Sequence, residues 1–355
     1  MEMIGTLLLL LVQAPTVVSV TRDSVRDFKE PQLAIEDDGH VYAAYGEGNA
    51  IFASVSEDKG STFSAPIKVG EAGKMPLGMR RGPRIVAYNG LVTITAVYGE
   101  KGGGADGDIL TFRSTDHGQT WSRGGMVNDE VGAAREGLHA MAVAADGTLA
   151  CSWLDCRAKG KILYMSTSKD GGTTWAKNRL VYQSPSGSIC ECCHPSLSYN
   201  KSGTLILMFR NSLNGARDMY LSSTSDNGNT FTPAMKMGKG TWMLSGCPMD
   251  GGMVSNGNTG AISTVWRREN TIYACRVGVE EVKLGDGKQP WGTFGPGGLY
   301  AIWSGPNSLV VATPKIRSFE LPRQGVDPVM AASPDHKIVV AAWGDNGIQS
   351  TRLAP

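Results

Sequence analysis

Residues able to do chemistry gather at a few points of this 355-residue chain. The densest is Cys190-Glu191-Cys192-Cys193-His194-Pro195. Thiolates and an imidazole at this density suit zinc or copper, so Cys190, Cys192, Cys193, His194 and the more distant Cys247 are candidate ligands. The C-x-C-C run matches no complete zinc motif, and disulfides from this group to Cys156 or Cys247 are the preferred expectation. Free thiols are the third reading. Cys151 and Cys275 fall within apolar strands and read as inert core thiols. Apart from a metal at this cluster, no cofactor is expected. A second constellation pairs acids with bases: Trp153-Leu154-Asp155-Cys156-Arg157 and Arg217-Asp218. It reads equally as an ion-pair network or as a site for a polar ligand. Arginine suits bidentate recognition of a carboxylate, and paired carboxylates suit acid–base work on a glycosidic bond.

What positions these residues is a repeat. The octet Ser168-Lys169-Asp170-Gly171-Gly172-Thr173-Thr174-Trp175 reads as a tight turn, with Asp170 accepting from its own backbone and Gly172 free to take a positive φ. Related octets begin at Ser56, Ser114 and Thr224 and end at Phe63, Trp121 and Phe231. Their aspartates, Asp58, Asp116, Asp170 and Asp226, step by 58, 54 and 56 residues. A regular period of this size indicates a repeat architecture. Around each octet the chain reads the same way: an apolar strand, a polar turn, a second strand ending in an aromatic, then a third strand running into the octet. Openings at Pro31, Pro83, Leu138, Pro195, Pro248 and Pro328 count six units. The expectation is an all-β, six-bladed β-propeller of four-stranded antiparallel blades over residues 15–355. Seven blades is the alternative, if 285–323 makes its own sheet.

The octet S/T-x-D-x-G-x-T-W/F resembles the Asp-box, or BNR repeat, of the sialidase superfamily. That resemblance implies structural boxes on one face and a functional site on the other. Topology agrees, because the start of strand one and the end of strand two both lie away from the boxes. Before strand one stand Lys29, Glu30, Arg80, Arg81, Arg135, Glu136, His139, Glu191, Asp250 and Asp327. After strand two stand Glu47, Glu100, Asp155, Arg157, Arg210, Arg217, Asp218, Arg267, Arg268 and Asp345. Sialidases open on Phe/Tyr-Arg-Ile-Pro, and here the frame reads Phe28-Lys29-Glu30-Pro31, with lysine where the family has arginine. By blade position the resemblance implies Glu47 as acid/base, Glu191 as the assisting glutamate, and Arg210 with Arg267 or Arg268 as carboxylate clamps. The family's late tyrosine nucleophile has no counterpart, since no Tyr follows Tyr300. The candidate catalytic set is thus Glu47, Glu191 and Asp155. The candidate substrate-binding set is Lys29, Arg81, Arg157, Arg210, Arg217, Arg267 and Arg268.

Composition fits a chain of short strands: Gly is high at 46 residues, and no long amphipathic helix stands out. A net charge of +1 implies no broad basic field for nucleic acid or anionic membrane. The apolar run 4–14 is too short to span a bilayer and has the length of a signal-peptide core, with Val12-Gln13-Ala14 as a cleavage pattern. The alternative is an apolar strand completing the last blade. Export implies a secreted or periplasmic protein, with the cytoplasm as the alternative. Seven cysteines, an odd number, fit either compartment. The function expected is an exo-glycosidase acting on terminal sialic acid or another acidic sugar, with a glycan or glycoconjugate as partner. The alternatives are a catalytically inactive glycan- or protein-binding propeller, and a propeller with a Cys/His metal site.

Overall fold

The structure is a computed structural model that describes residues 15–22, 26–257, 260–315, 318–321 and 325–354. Its strands form seven four-stranded antiparallel sheets. Their inner strands are Lys29–Ile35, Arg84–Tyr88, His139–Val143, Ser196–Tyr199, Met253–Asn256, Lys288–Gly295 and Val326–Ala332. Each packs on the next, and the last packs on the first, so blades 1 to 7 close a ring. The candidate leader 1–14 lies outside the described residues. Just after it, Val17–Ser19 forms the outer strand of blade 7, with Val17 opposite Thr351 and Ser19 opposite Gln349. The ring is therefore closed by joining the two ends of the chain in one sheet.

The expected six blades are corrected to seven. The stretch 285–323 holds a sheet of its own, Lys288–Gly295, Gly298–Ser304, Leu309–Ala312 and Phe319–Glu320. Like blades 5 and 7, this blade 6 has no octet, and its opening Pro290 stands outside the six openings counted in the sequence. Its signature is the aromatic of the second strand. Tyr45, Tyr98, Trp153, Phe209, Trp266, Trp303 and Trp343 supply one buried ring per blade, and Trp303 belongs to blade 6. Burying each ring contributes about 1.5–3 kcal/mol, which makes the wedge between blades the main apolar core.

The four octets are built alike. In blade 3, Asp170 Oδ1 accepts from Ser168 Oγ at 2.8 Å and from Thr174 N at 2.9 Å, while Oδ2 accepts from Thr174 Oγ1 at 2.6 Å. Gly172 sits at φ +84, and a Cβ there would lie 2.6 Å from Thr111 Cγ2 of blade 2. In this octet the aromatic also crosses blades, with Trp175 Nε1 donating to Thr111 Oγ1 at 3.0 Å, whereas Trp121 Nε1 donates to Gly118 O within its own turn at 3.0 Å. The blade 3 octet is thus a turn and an inter-blade clamp together.

Candidate functional site

On the face opposite the boxes, inner strands begin with backbone bulges. Glu30, Gln289 and Asp327 take φ of 54, 52 and 50, and each stands immediately before a proline. Pairing registers shift at all three places, between Lys29 and Gln32, Lys288 and Trp291, and Val326 and Val329. A non-glycine residue at positive φ is strained, and bulges of this kind re-aim side chains next to functional sites. Blades 6, 7 and 1, which carry them, are neighbours in the ring.

The bulges feed a polar network across the axis. Gln289 Nε2 donates to Asp327 Oδ1 at 3.2 Å, and Gln289 N donates to Asp250 Oδ2 at 2.8 Å. Arg267 Nη1 also donates to that Asp250 oxygen, at 3.2 Å. Arg80 is buried on the axis, where Nη2 donates to the carbonyls of Gln289 and Pro328 at 3.0 and 2.9 Å. Its guanidinium lies 5.0 Å above the Trp291 ring. Glu30 Oε1 accepts from Arg80 N at 2.8 Å, and Oε2 accepts from Gly82 N. Burial, and then the Asp327 carboxylate, raise Glu30 above the usual carboxylate range. Burial also raises Asp250, and it lowers Arg84 to about 10. Arg84 donates Nε to His139 O at 2.9 Å and Nη1 to Gly82 and Pro83 carbonyls at 3.0 and 2.9 Å. Both arginines hold blades together by charge-assisted bonds to backbone. Below them runs an axial channel of about 810 Å³, lined by inner-strand residues such as Gln32, Ser196, Met253 and Met330 and reaching the box face.

Above this floor, a cleft of about 1010 Å³ opens between blades 6, 7 and 1. Its walls include Arg26, Asp27, Phe28, Lys29, Asn307, Asp327, Asp345, Asn346 and Gln349. Lys29 Nζ pairs with Asp27 Oδ2 at 2.7 Å, and both are exposed. Arg26 lies over the Phe52 ring at 4.3 Å and donates Nε to Glu47 Oε1 at 2.9 Å. Acids, cations, amides and an aromatic edge on one concave surface are the donor set for a hydroxyl-rich ligand.

The expected site residues divide. Lys29, Asp327 and Asp345 line the cleft, and Glu47 reaches it through Arg26. Asp155 is fully buried and accepts from Trp153 Nε1 at 2.8 Å, Arg157 N at 2.8 Å, Arg157 Nε at 2.9 Å and Arg157 Nη2 at 3.0 Å. Arg157 also bonds Asp129 Oδ1 at 3.1 Å and Asn178 Oδ1 at 2.9 Å. That is the ion-pair form of this constellation. Arg210 is buried and donates to three neutral carbonyls, those of Asp250, Arg217 and Arg267, at 3.1, 2.6 and 3.0 Å. Arg268 forms a two-pronged pair with Glu281, at 2.9 and 2.6 Å. Arg81 Nε donates to Glu136 O at 2.9 Å. Asp218 takes its cation from Lys236 at 2.9 Å rather than from Arg217. Glu191 is exposed and accepts from Ser188 Oγ at 3.2 Å.

Among the cysteines, Cys190, Cys192 and Cys193 come together and are buried. All seven sulfurs are free, so the close approach is within the group and not to Cys156 or Cys247 in the neighbouring connections. Cys247 is exposed, and Cys156 Sγ accepts from Lys161 Nζ at 3.3 Å. His194 donates Nδ1 to Pro195 O at 3.0 Å, and burial, then the charges of Arg84 and Arg80, push its pKa down to about 3. Arg26, Gln289 and Trp291 were not picked out by sequence. The recurring x-Pro at 30–31, 289–290 and 327–328 is the signal that marks the bulge in blade 6.

The family described as BNR repeat-like domain matches the chain over residues 43–185 and 85–248, which together cover more than half of it. No curated protein matches the sequence. Solved structures do. An α-L-arabinanase from Penicillium chrysogenum, complexed with arabinobiose, is 14% identical with a TM-score of 0.58, covering 96% of this chain and 98% of that one. A Hadza microbial sialidase is 15% identical with a TM-score of 0.59, covering 95% and 68%. A virginiamycin B lyase from Staphylococcus aureus, seen with quinupristin, is 14% identical with a TM-score of 0.59, covering 95% and 98%. At such identities the likeness is one of fold, and it joins propellers of different chemistry.

Proposed function

The chain belongs to the BNR repeat-like domain family of sialidase-type propellers, and from that premise we propose that it is a carbohydrate-active protein. It takes a glycan end into the cleft between blades 6, 7 and 1. One observation carries the reading. Asp27, Asp327 and Asp345 share one concave surface with Arg26 and Lys29, on the face away from the Asp-boxes. Carboxylates beside a sugar ring supply the acid and base for glycoside hydrolysis, and cations beside them suit an acidic sugar. The arabinanase and the sialidase among the similar folds favour a terminal arabinoside, sialoside or uronide as the substrate class.

A second reading, glycan binding without turnover, is favoured by a separate observation. Arg210 spends its donors on backbone carbonyls and Arg267 pairs with Asp250, so these two side chains are already committed. Fluorogenic arabinosides, sialosides and uronides, together with a glycan array, separate the two. Hydrolysis abolished by Asp345→Asn and weakened binding in Lys29→Ala support the enzyme. Binding lost in Lys29→Ala without any turnover supports the second reading. Neither turnover nor glycan binding overturns both.

A further inference from the structure

The three buried thiols between blades 3 and 4 are arranged as a set. Cys190 Sγ lies 3.9 Å from Cys192 Sγ and 3.5 Å from Cys193 Sγ, and all three atoms fall within 4.8 Å of one another. A disulfide would draw two sulfurs to about 2.05 Å and leave the third without a role. A metal about 2.3 Å from each of three sulfurs sets them roughly 4 Å apart in a trigonal plane, close to what is seen. The backbone holds the set in place, because Cys190 N donates to Arg210 O at 3.0 Å in the second strand of blade 4.

The surroundings select the ion. Partly buried Met249, from the connection between blades 4 and 5, packs against the thiols. Among the described residues, no histidine or carboxylate joins the group, and His194 turns its Nδ1 to the Pro195 carbonyl. Zinc in structural sites is almost always four-coordinate, whereas soft thiolate and thioether donors select copper(I). Charge points the same way. Arg210 is a buried cation hydrogen-bonded to neutral carbonyls, and its backbone carbonyl accepts from Cys190 N. Three thiolates around a monovalent cation carry net negative charge, which a neighbouring guanidinium offsets.

We propose that Cys190, Cys192 and Cys193 form a trigonal thiolate site for copper(I), with Met249 as a flanking thioether. Binding releases the thiol protons to solvent and changes no oxidation state, because the ion arrives as copper(I). Nothing in this depends on the glycan reading.

The full chain, kept anaerobic with a reductant, is titrated with copper(I) against a coloured copper(I) chelator. One equivalent is withheld from the chelator. Cys192→Ser, at the least buried of the three thiols, loses that equivalent, while Cys247→Ser keeps it. X-ray absorption on the unmutated chain shows three sulfur neighbours at about 2.3 Å, a readout independent of how well any variant folds. Nitrogen or oxygen neighbours, two sulfurs only, displacement by one equivalent of zinc, or a Cys190–Cys193 disulfide persisting under reductant would each overturn the assignment.

Discussion

Asp155→Ala tests whether the most charged constellation in the sequence is structural. The Asp155 carboxylate is fully buried and accepts four hydrogen bonds, three from Arg157 and one from Trp153 Nε1. Removing it leaves the Arg157 guanidinium, 19% exposed, with the exposed Asp129 as its remaining ion-pair partner among the described residues, and leaves the indole N–H without its acceptor. Taking one partner from a buried ion pair costs about 3–5 kcal/mol. An unfolding entropy of ~2.1 cal/mol/K per residue over a chain this long converts that to a fall in Tm of about 4–7 °C. Asp155→Asn keeps an acceptor for Trp153 and loses roughly half as much. Differential scanning calorimetry measures both, and a double-mutant cycle with Arg157→Ala isolates the pair at more than about 1 kcal/mol. If Asp155→Asn leaves Tm unchanged and abolishes turnover of a glycoside, the structural assignment is refuted and Asp155 belongs to the chemistry.

Trp303→Ala removes the buried ring of blade 6, whose Nε1 donates to Asp286 O at 3.1 Å, and should cost about 3–5 kcal/mol in urea unfolding; a loss below about 1 kcal/mol would mean that blade 6 adds little to the ring. The box aspartates predict acid sensitivity. Hydrogen bonds, first from Ser114 and Thr120 and first from Thr230 respectively, hold the folded pKa of Asp116 and Asp226 down to about 2. Their contribution is present above the unfolded value of about 4 and is lost as pH falls from about 4 towards 2. Asp116→Asn should therefore flatten the urea midpoint against pH between 5 and 2.5, and an unchanged slope would contradict this.

Much of the fold was legible because its signals are local. The octets ending at Phe63, Trp121, Trp175 and Phe231 carry their own hydrogen-bond donors and acceptors, so the turn can be read without knowing what packs on it. Blade 6 lacks that motif and is marked by Gln289-Pro290 at its opening and by Trp303 in the strand-two position. The candidate cleft was legible by position but not by partner. Lys29, Asp327 and Asp345 follow from strand order, and they do share a cleft. Arg210 and Arg157 occupy equally promising positions, yet backbone carbonyls and Asp155 engage them.

The amino-acid sequence by itself determined the repeat, the strand order within a blade and the face on which polar residues collect. These depend on spacing and on turn chemistry confined to a few residues. Only the tertiary structure decided the blade count, the closure of the ring by Val17–Ser19 and the partner of each charge. Closure needs a register between chain ends more than three hundred residues apart. A guanidinium pairs with whichever acceptor the ring brings within about 3 Å, and neighbouring blades supply that acceptor. The same holds for Cys190, Cys192 and Cys193, whose crowding was visible in sequence but whose mutual approach, away from Cys156 and Cys247, is a property of the folded connection between blades 3 and 4.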